Sequence, residues 1–120
     1  MDRITTFKTF IARTPGDPFP RYGLAMEYKG RGELAEAWTV FSELLEQFSG
    51  YVATYLMAGN TLAALGRPAE AAEVYRRGVD VAAKANDSHA RGELESALAE
   101  ISSITGHGAS ASPKPEVRFR

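Results

Sequence analysis

The feature that most limits how this chain can fold is a stretch it writes twice. Residues 32–41 read GELAEAWTVF, and residues 66–75 read GRPAEAAEVY. At an offset of 34, Gly32 meets Gly66, Ala35 meets Ala69, Glu36 meets Glu70, Ala37 meets Ala71 and Val40 meets Val74. Conservative pairs surround these: Phe41 with Tyr75, Leu45 with Val79, Ala25 with Gly59, Tyr28 with Leu62. A match kept at one offset over that many positions is an internal repeat, and this period belongs to a helix-turn-helix unit. One such unit cannot bury its apolar face alone, so successive units must stack.

The helical reading also follows without the repeat. Leu34, Ala37, Phe41, Leu44, Leu45 and Phe48 recur every three or four residues and form one stripe. Ala71, Val74, Tyr75, Gly78 and Val79 do the same, while Glu36, Glu43, Glu46, Glu70, Glu73, Arg76 and Arg77 take the other face. Gly30, Gly32 and Gly66 sit where one helix must stop and the next begin. Glycine tolerates the left-handed position after a helix, and Pro68 suits a first helical turn, where no N–H is needed.

On these residues the chain resembles the tetratricopeptide repeat family, with its pattern W-x2-L-G-x2-Y, A-x3-F, P. The first full repeat, residues 18–51, offers Arg21, Leu24, Ala25, Tyr28, Ala37, Phe41 and Ser49. The second, residues 52–85, offers Tyr55, Ala58, Gly59, Leu62, Ala71, Tyr75 and Ala83. Arg21 replaces the tryptophan, and neither full repeat ends in proline. The likeness is to small stand-alone bacterial-type members. It implies an all-α right-handed superhelix, here of about six helices. Small residues at 25, 59, 37 and 71 let paired helices approach, and Phe41 and Tyr75 are expected in the core.

The flanks continue the register. Phe7, Phe10 and Ile11 take the places of Phe41, Leu44 and Leu45, so residues 2–13 form a second-type helix, followed by Thr14-Pro15. Asn86-Asp87 caps a last helix over 87–104, with Leu94, Ala97, Leu98, Ile101 and Ile104 buried and Glu93, Glu95 and Glu100 outward. A helical domain of residues 1–105 results. Residues 106–120, GHGASASPKPEVRFR, lack core-forming residues and are expected to be a disordered tail.

Composition excludes several classes of function. Apolar residues at 44% suffice for a core, and a net charge of −1 gives no general pull toward nucleic acid or anionic membrane. There is no cysteine, so disulfides, zinc–thiolate sites and thiol catalysis are out. No run approaches the ~20 apolar residues of a membrane span, and the N-terminal segment lacks a signal's apolar stretch. A soluble cytoplasmic protein is expected, with neither nucleic acid nor membrane as partner.

No catalytic or metal constellation appears. His89 and His107 have no second His or Cys nearby, and zinc needs three or four convergent ligands. Gly30-Arg31-Gly32 reads as a helix-to-helix turn, lacking a phosphate loop's preceding strand and Gly-Lys-Ser/Thr. There is no G-x-S-x-G elbow. The carboxylates Glu33/Glu36 and Glu70/Glu73 lie on solvated helix faces, where nothing raises a pKa for acid–base work. The tail's Lys114, Arg118 and Arg120 against Glu116 give +2, leaving −3 on residues 1–105 and no basic stripe there. No cofactor, and no enzyme, is expected.

The resemblance implies a groove on the concave face, lined by the first helix of each repeat and used for peptides. Carried over, its positions hold Phe19, Tyr22, Met26 and Lys29 in the first repeat. They hold Ala53, Leu56, Met57, Asn60 and Ala63 in the second, and Asp87, Ala90, Arg91 and Leu94 in the last helix. One subfamily clamps a C-terminal carboxylate with two lysines, two asparagines and an arginine. Here those positions are Tyr22, Met26, Met57, Asp87 and Arg91, and only Arg91 matches, which argues against a clamp. The expected site is Phe19, Tyr22, Met26, Lys29, Leu56, Met57, Asn60 and Arg91. It is apolar and adaptable, since methionine repacks around varied ligands. Asn60 is its best polar candidate, because an amide can pair with both N–H and C=O of a bound backbone. Trp38 follows the packing residue Ala37 and is expected to be partly buried. The function implied is a non-catalytic module for a protein or peptide partner. The alternative is a subunit that self-associates, or completes an assembly, through the same surface.

Overall fold

The computed structural model describes residues 2–105. Within them lie six helices: α1 (Arg3–Arg13), α2 (Pro18–Gly30), α3 (Leu34–Gln47), α4 (Ala53–Ala64), α5 (Pro68–Lys84) and α6 (Ser88–Thr105). Each packs on the next, and α4 also touches α6. The tail, with His107, Lys114, Arg118 and Arg120, lies outside the described residues.

The turns show why the helices begin and end where they do. Gly32 and Gly66 both have φ +77°, the left-handed conformation the glycines were expected to supply. After α2, Gly32 N–H donates to Lys29 C=O and Glu33 N–H to Tyr28 C=O; after α4, Gly66 donates to Ala63 and Arg67 to Leu62. This paired closure satisfies carbonyls that a helix end otherwise orphans. Asn86, at φ 58°, closes α5 the same way, through Asn86 N–H to Ala83 and Asp87 N–H to Ala82. Aspartates open α1, α2 and α6. Asp2 accepts from Ile4 N–H, Asp17 from Phe19 and Asp87 from Ala90, each filling a donor that the first turn leaves free.

The period also appears in bonds that the sequence does not show. Tyr55 Oη donates to Ser49 C=O at 2.6 Å, and Arg21 Nη1 donates to Pro15 C=O at 2.7 Å. Both pairs are six residues apart and match at the 34-residue offset. Arg21, the departure at the tryptophan position, therefore does Tyr55's job of pinning the preceding turn with different chemistry.

The core runs through all repeats: Leu24, Ala25, Ala37, Phe41, Leu44, Leu45, Tyr55, Ala58, Leu62, Ala71, Tyr75, Leu94 and Ile101 are buried. Phe41 and Tyr75 lie in the core as expected. Trp38 is half-buried, with the Arg67 guanidinium 5.6 Å from its ring centre.

One position departs from its repeat counterpart, and one expectation needs correction. Phe10 takes Leu44's place, yet is 47% exposed where Leu44 is fully buried. Among the described residues α1 has no first helix beside it, so this position has nothing to pack on. It docks instead through Phe7, which lies over Gly23, and through ion pairs of Glu27 with Arg3 and Arg31, and of Arg31 with Asp2. Ile104, expected to be buried, is 65% exposed in the last turn of α6, beyond cover from its neighbours.

Thr54 is fully buried, and its Oγ1 has no hydrogen-bond partner among the described residues. A buried unsatisfied hydroxyl costs more than the apolar group of the same shape. Thr54→Val is expected to stabilise the fold by about 1 kcal/mol, read as a raised Tm. A lowered Tm would show that the hydroxyl has a partner.

Candidate functional site

The first helices of the successive units, α2, α4 and α6, share one face. A recess of about 200 Å3 opens there, lined by Tyr22 of α2, by Ala53, Leu56 and Met57 of α4 with Val52 before it, and by Ala90, Glu93 and Leu94 of α6. Its floor is apolar. Tyr22 is fixed from two sides, its ring meeting Phe41 at 6.2 Å and Tyr51 at 5.8 Å, both edge-on. Burial pushes the Tyr22 phenol above its ordinary value, with Tyr51 adding to the effect, so it stays neutral at physiological pH. The one acid at the recess is Glu93. Its neighbour is His89 Nε2 at 3.6 Å, one helical turn back.

Of the residues expected to form the site, Tyr22, Leu56 and Met57 come together in this recess. Phe19, Met26, Lys29 and Asn60 lie on α2 and α4 outside its lining. Phe19 is 62% exposed in the first turn of α2, and Met26 and Lys29 are half-buried. Asn60 has a structural duty: its Oδ1 accepts from Tyr75 Oη at 2.6 Å. That bond takes one of the two lone pairs of Oδ1 and leaves the NH2 without a partner among the described residues.

Arg91 lies elsewhere. Its Nε donates to Glu95 at 3.3 Å, and it lines a separate recess of about 180 Å3 with Ala82, Ala83, Asn86, Asp87 and Ser88. The cause is a break in the period. α5 runs for 17 residues where α3 runs for 14, so α6 starts late. The buried and half-buried positions of α6 are 90, 94, 97, 98, 101 and 102; an offset of 36 sets the first five on 54, 58, 61, 62 and 65, all buried or half-buried, whereas an offset of 34 sets 98 on the exposed Ala64. In that register Glu93, not Arg91, takes Met57's place, and Arg91 and Glu95 correspond to Tyr55 and Gly59. The apolar spacing of α6 carries this signal, and extending the 34-residue period hides it.

A larger recess, about 580 Å3, lies between the α3–α4 turn and the second half of α5, lined by Ser49, Gly50, Tyr55, Arg77, Asp80, Val81, Lys84 and Ala85. Its two cations and one anion belong to no grouping singled out in the sequence. Among the described residues, no three His, Cys, Asp or Glu side chains converge to hold a metal, and no helix is long and apolar enough to cross a membrane.

The arrangement matches known proteins. A family model described as tetratricopeptide repeat matches residues 52–77. A tetratricopeptide repeat domain protein from Salinibacter ruber is similar in its crystal structure, at 32% identity, covering 73% of this chain and 99% of that one, with a TM-score of 0.71. A solution NMR structure of a tetratricopeptide repeat domain protein from Salinibacter ruber gives 31% identity, coverage of 81% and 98%, and a TM-score of 0.74. A Bordetella parapertussis protein shares the fold at 18% identity, covering 92% of this chain and 99% of its own, with a TM-score of 0.74. No curated protein matches.

Proposed function

For a chain that belongs to the tetratricopeptide repeat family, an all-α stack that generally mediates protein–protein interaction, we propose a non-catalytic module that binds a peptide or partner helix on the face of α2, α4 and α6. The observation that carries this is the recess bounded by Tyr22, Leu56 and Met57. It is apolar, it is built from helices whose other faces are fixed in the core, and it has one carboxylate at its wall. At about 200 Å3 it falls below the ~300–1,000 Å3 of drug-sized sites. It suits one or two side chains of a longer ligand rather than a cofactor. Apolar anchors in such a recess give affinity, and Glu93 favours a ligand with a nearby cation. Phe19, Met26 and Lys29 extend the same surface along α2, and the NH2 of Asn60 extends it along α4.

The test is a capture experiment from soluble lysate, with the intact chain beside a Leu56→Asp/Glu93→Lys variant shown by circular dichroism to be folded. A partner held by the intact chain and lost, at least tenfold in affinity, by the variant is the expected result. One such recess contact is worth ~1.4 kcal/mol or more on that scale. A partner held equally by both moves the binding surface away from this face.

A further inference from the structure

Residues 106–120 follow directly on α6, the helix that forms one wall of the recess. Their large apolar side chains, Val117 and Phe119, alternate with Arg118 and Arg120, and the segment carries +2 against −3 on the rest. The recess has the complementary character, an apolar floor of Tyr22, Leu56 and Met57 beside Glu93. The nearest basic group to that carboxylate, His89, is neutral unless protonated, so among the described residues no permanent cation answers it.

We propose that residues 112–120 of this chain dock in that recess, Phe119 on its floor and Arg118 or Arg120 toward Glu93. The chain then occupies its own groove until a partner displaces the segment. This rests on the reading of the face as a peptide groove.

The geometry allows it with slack. Glu93 lies twelve residues before Thr105, roughly 18 Å back along α6 at 1.5 Å per residue. The fourteen residues from there to Phe119 can span up to ~46 Å. A tether of this length sets an effective concentration on the order of millimolar. An intrinsic Kd of ~0.1 mM therefore keeps the groove about nine-tenths filled. Docking also covers apolar surface at the end of α6, where Ile104 is 65% exposed.

The test uses the full chain, labelled with 15N, and a Phe119→Asp/Arg120→Glu variant shown by circular dichroism to be folded. The amides of Leu56, Met57 and Glu93 are expected to shift between the two, while those of α1 stay still. The shifts should be the same at all protein concentrations. A synthetic peptide of residues 109–120 should bind the variant about tenfold more tightly than the intact chain, because nine-tenths of the intact groove is occupied. Unmoved groove amides and equal peptide affinity overturn the proposal. Shifts that grow with concentration overturn it too, in favour of a second copy as the source of the segment. The groove itself is tested separately by the Leu56→Asp/Glu93→Lys capture experiment. A segment that does not dock leaves that capture intact, so the two readings fail by different results.

Discussion

Replacing Phe41 with alanine is expected to cost about 3–5 kcal/mol, a large share of the ~5–15 kcal/mol that holds a domain of this size together. Phe41 is fully buried, in the position that closes the first full repeat. It belongs to the same buried cluster as Ala25, Ala37, Leu44 and Leu45, each 5% exposed or less, and its loss leaves a cavity in that core. For a stack this short, the loss corresponds to a fall in Tm of more than about 12 °C, measured by circular dichroism. An unchanged Tm would mean the repeat register is wrong. Phe41 also backs Tyr22, ring to ring at 6.2 Å, so the same variant at low temperature should bind groove ligands more weakly.

The second large effect is expected at Gly59. A Cβ built there would lie 2.2 Å from Cε1 of Tyr75, 2.6 Å from Cδ1 and 2.8 Å from Cζ. The ring cannot step aside cheaply. It is 3% exposed, and its hydroxyl is held by Asn60 at 2.6 Å. Gly59→Ala is expected to cost about 2 kcal/mol through overpacking, although alanine is otherwise the better helix former by ~0.5–1 kcal/mol. The sign should reverse in a Tyr75→Val background, where no ring meets the new methyl. There the same change should stabilise by ~0.5–1 kcal/mol. Chemical denaturation of the four proteins of this cycle decides it. A loss of equal size in both backgrounds would place the strain elsewhere than against Tyr75.

That pair shows what the sequence could reveal and what it could not. Gly59 opposite Ala25 and Tyr75 opposite Phe41 look like neutral exchanges. In the fold they form a linked set with a third position. Tyr75 reaches Asn60, and the close ring demands glycine at 59. In the first repeat Phe41 has no hydroxyl and Met26 stands where Asn60 does, so Ala25 fits. The helices and turns were legible because glycines, prolines and apolar spacing act locally. The core rings were legible because the period aligns them. Exchanges such as Arg21 for Tyr55 were opaque, because two unlike side chains reach carbonyls at equivalent positions of two different turns. The 34-residue period sets Tyr22, Leu56 and Met57 around one recess but not Arg91, because α5 is three residues longer than α3 and shifts the register of the last helix. Phe10 is exposed where its repeat counterpart Leu44 is buried, because that burial depends on a neighbouring helix that residues 2–105 do not contain.

The order of contacts has one more consequence. Each helix leans mainly on the helices before and after it in the chain. In a stack joined that way, cooperativity passes from link to link, and an end such as α1, with no fully buried residue, can peel off alone. The recess lies across α2, α4 and α6, which are alternate links. Whatever sits in it therefore acts as a splint. It would tie α2 to α4 and α6, which the chain itself couples mainly through the helices between them, and so make a row of separable links melt more nearly as a unit.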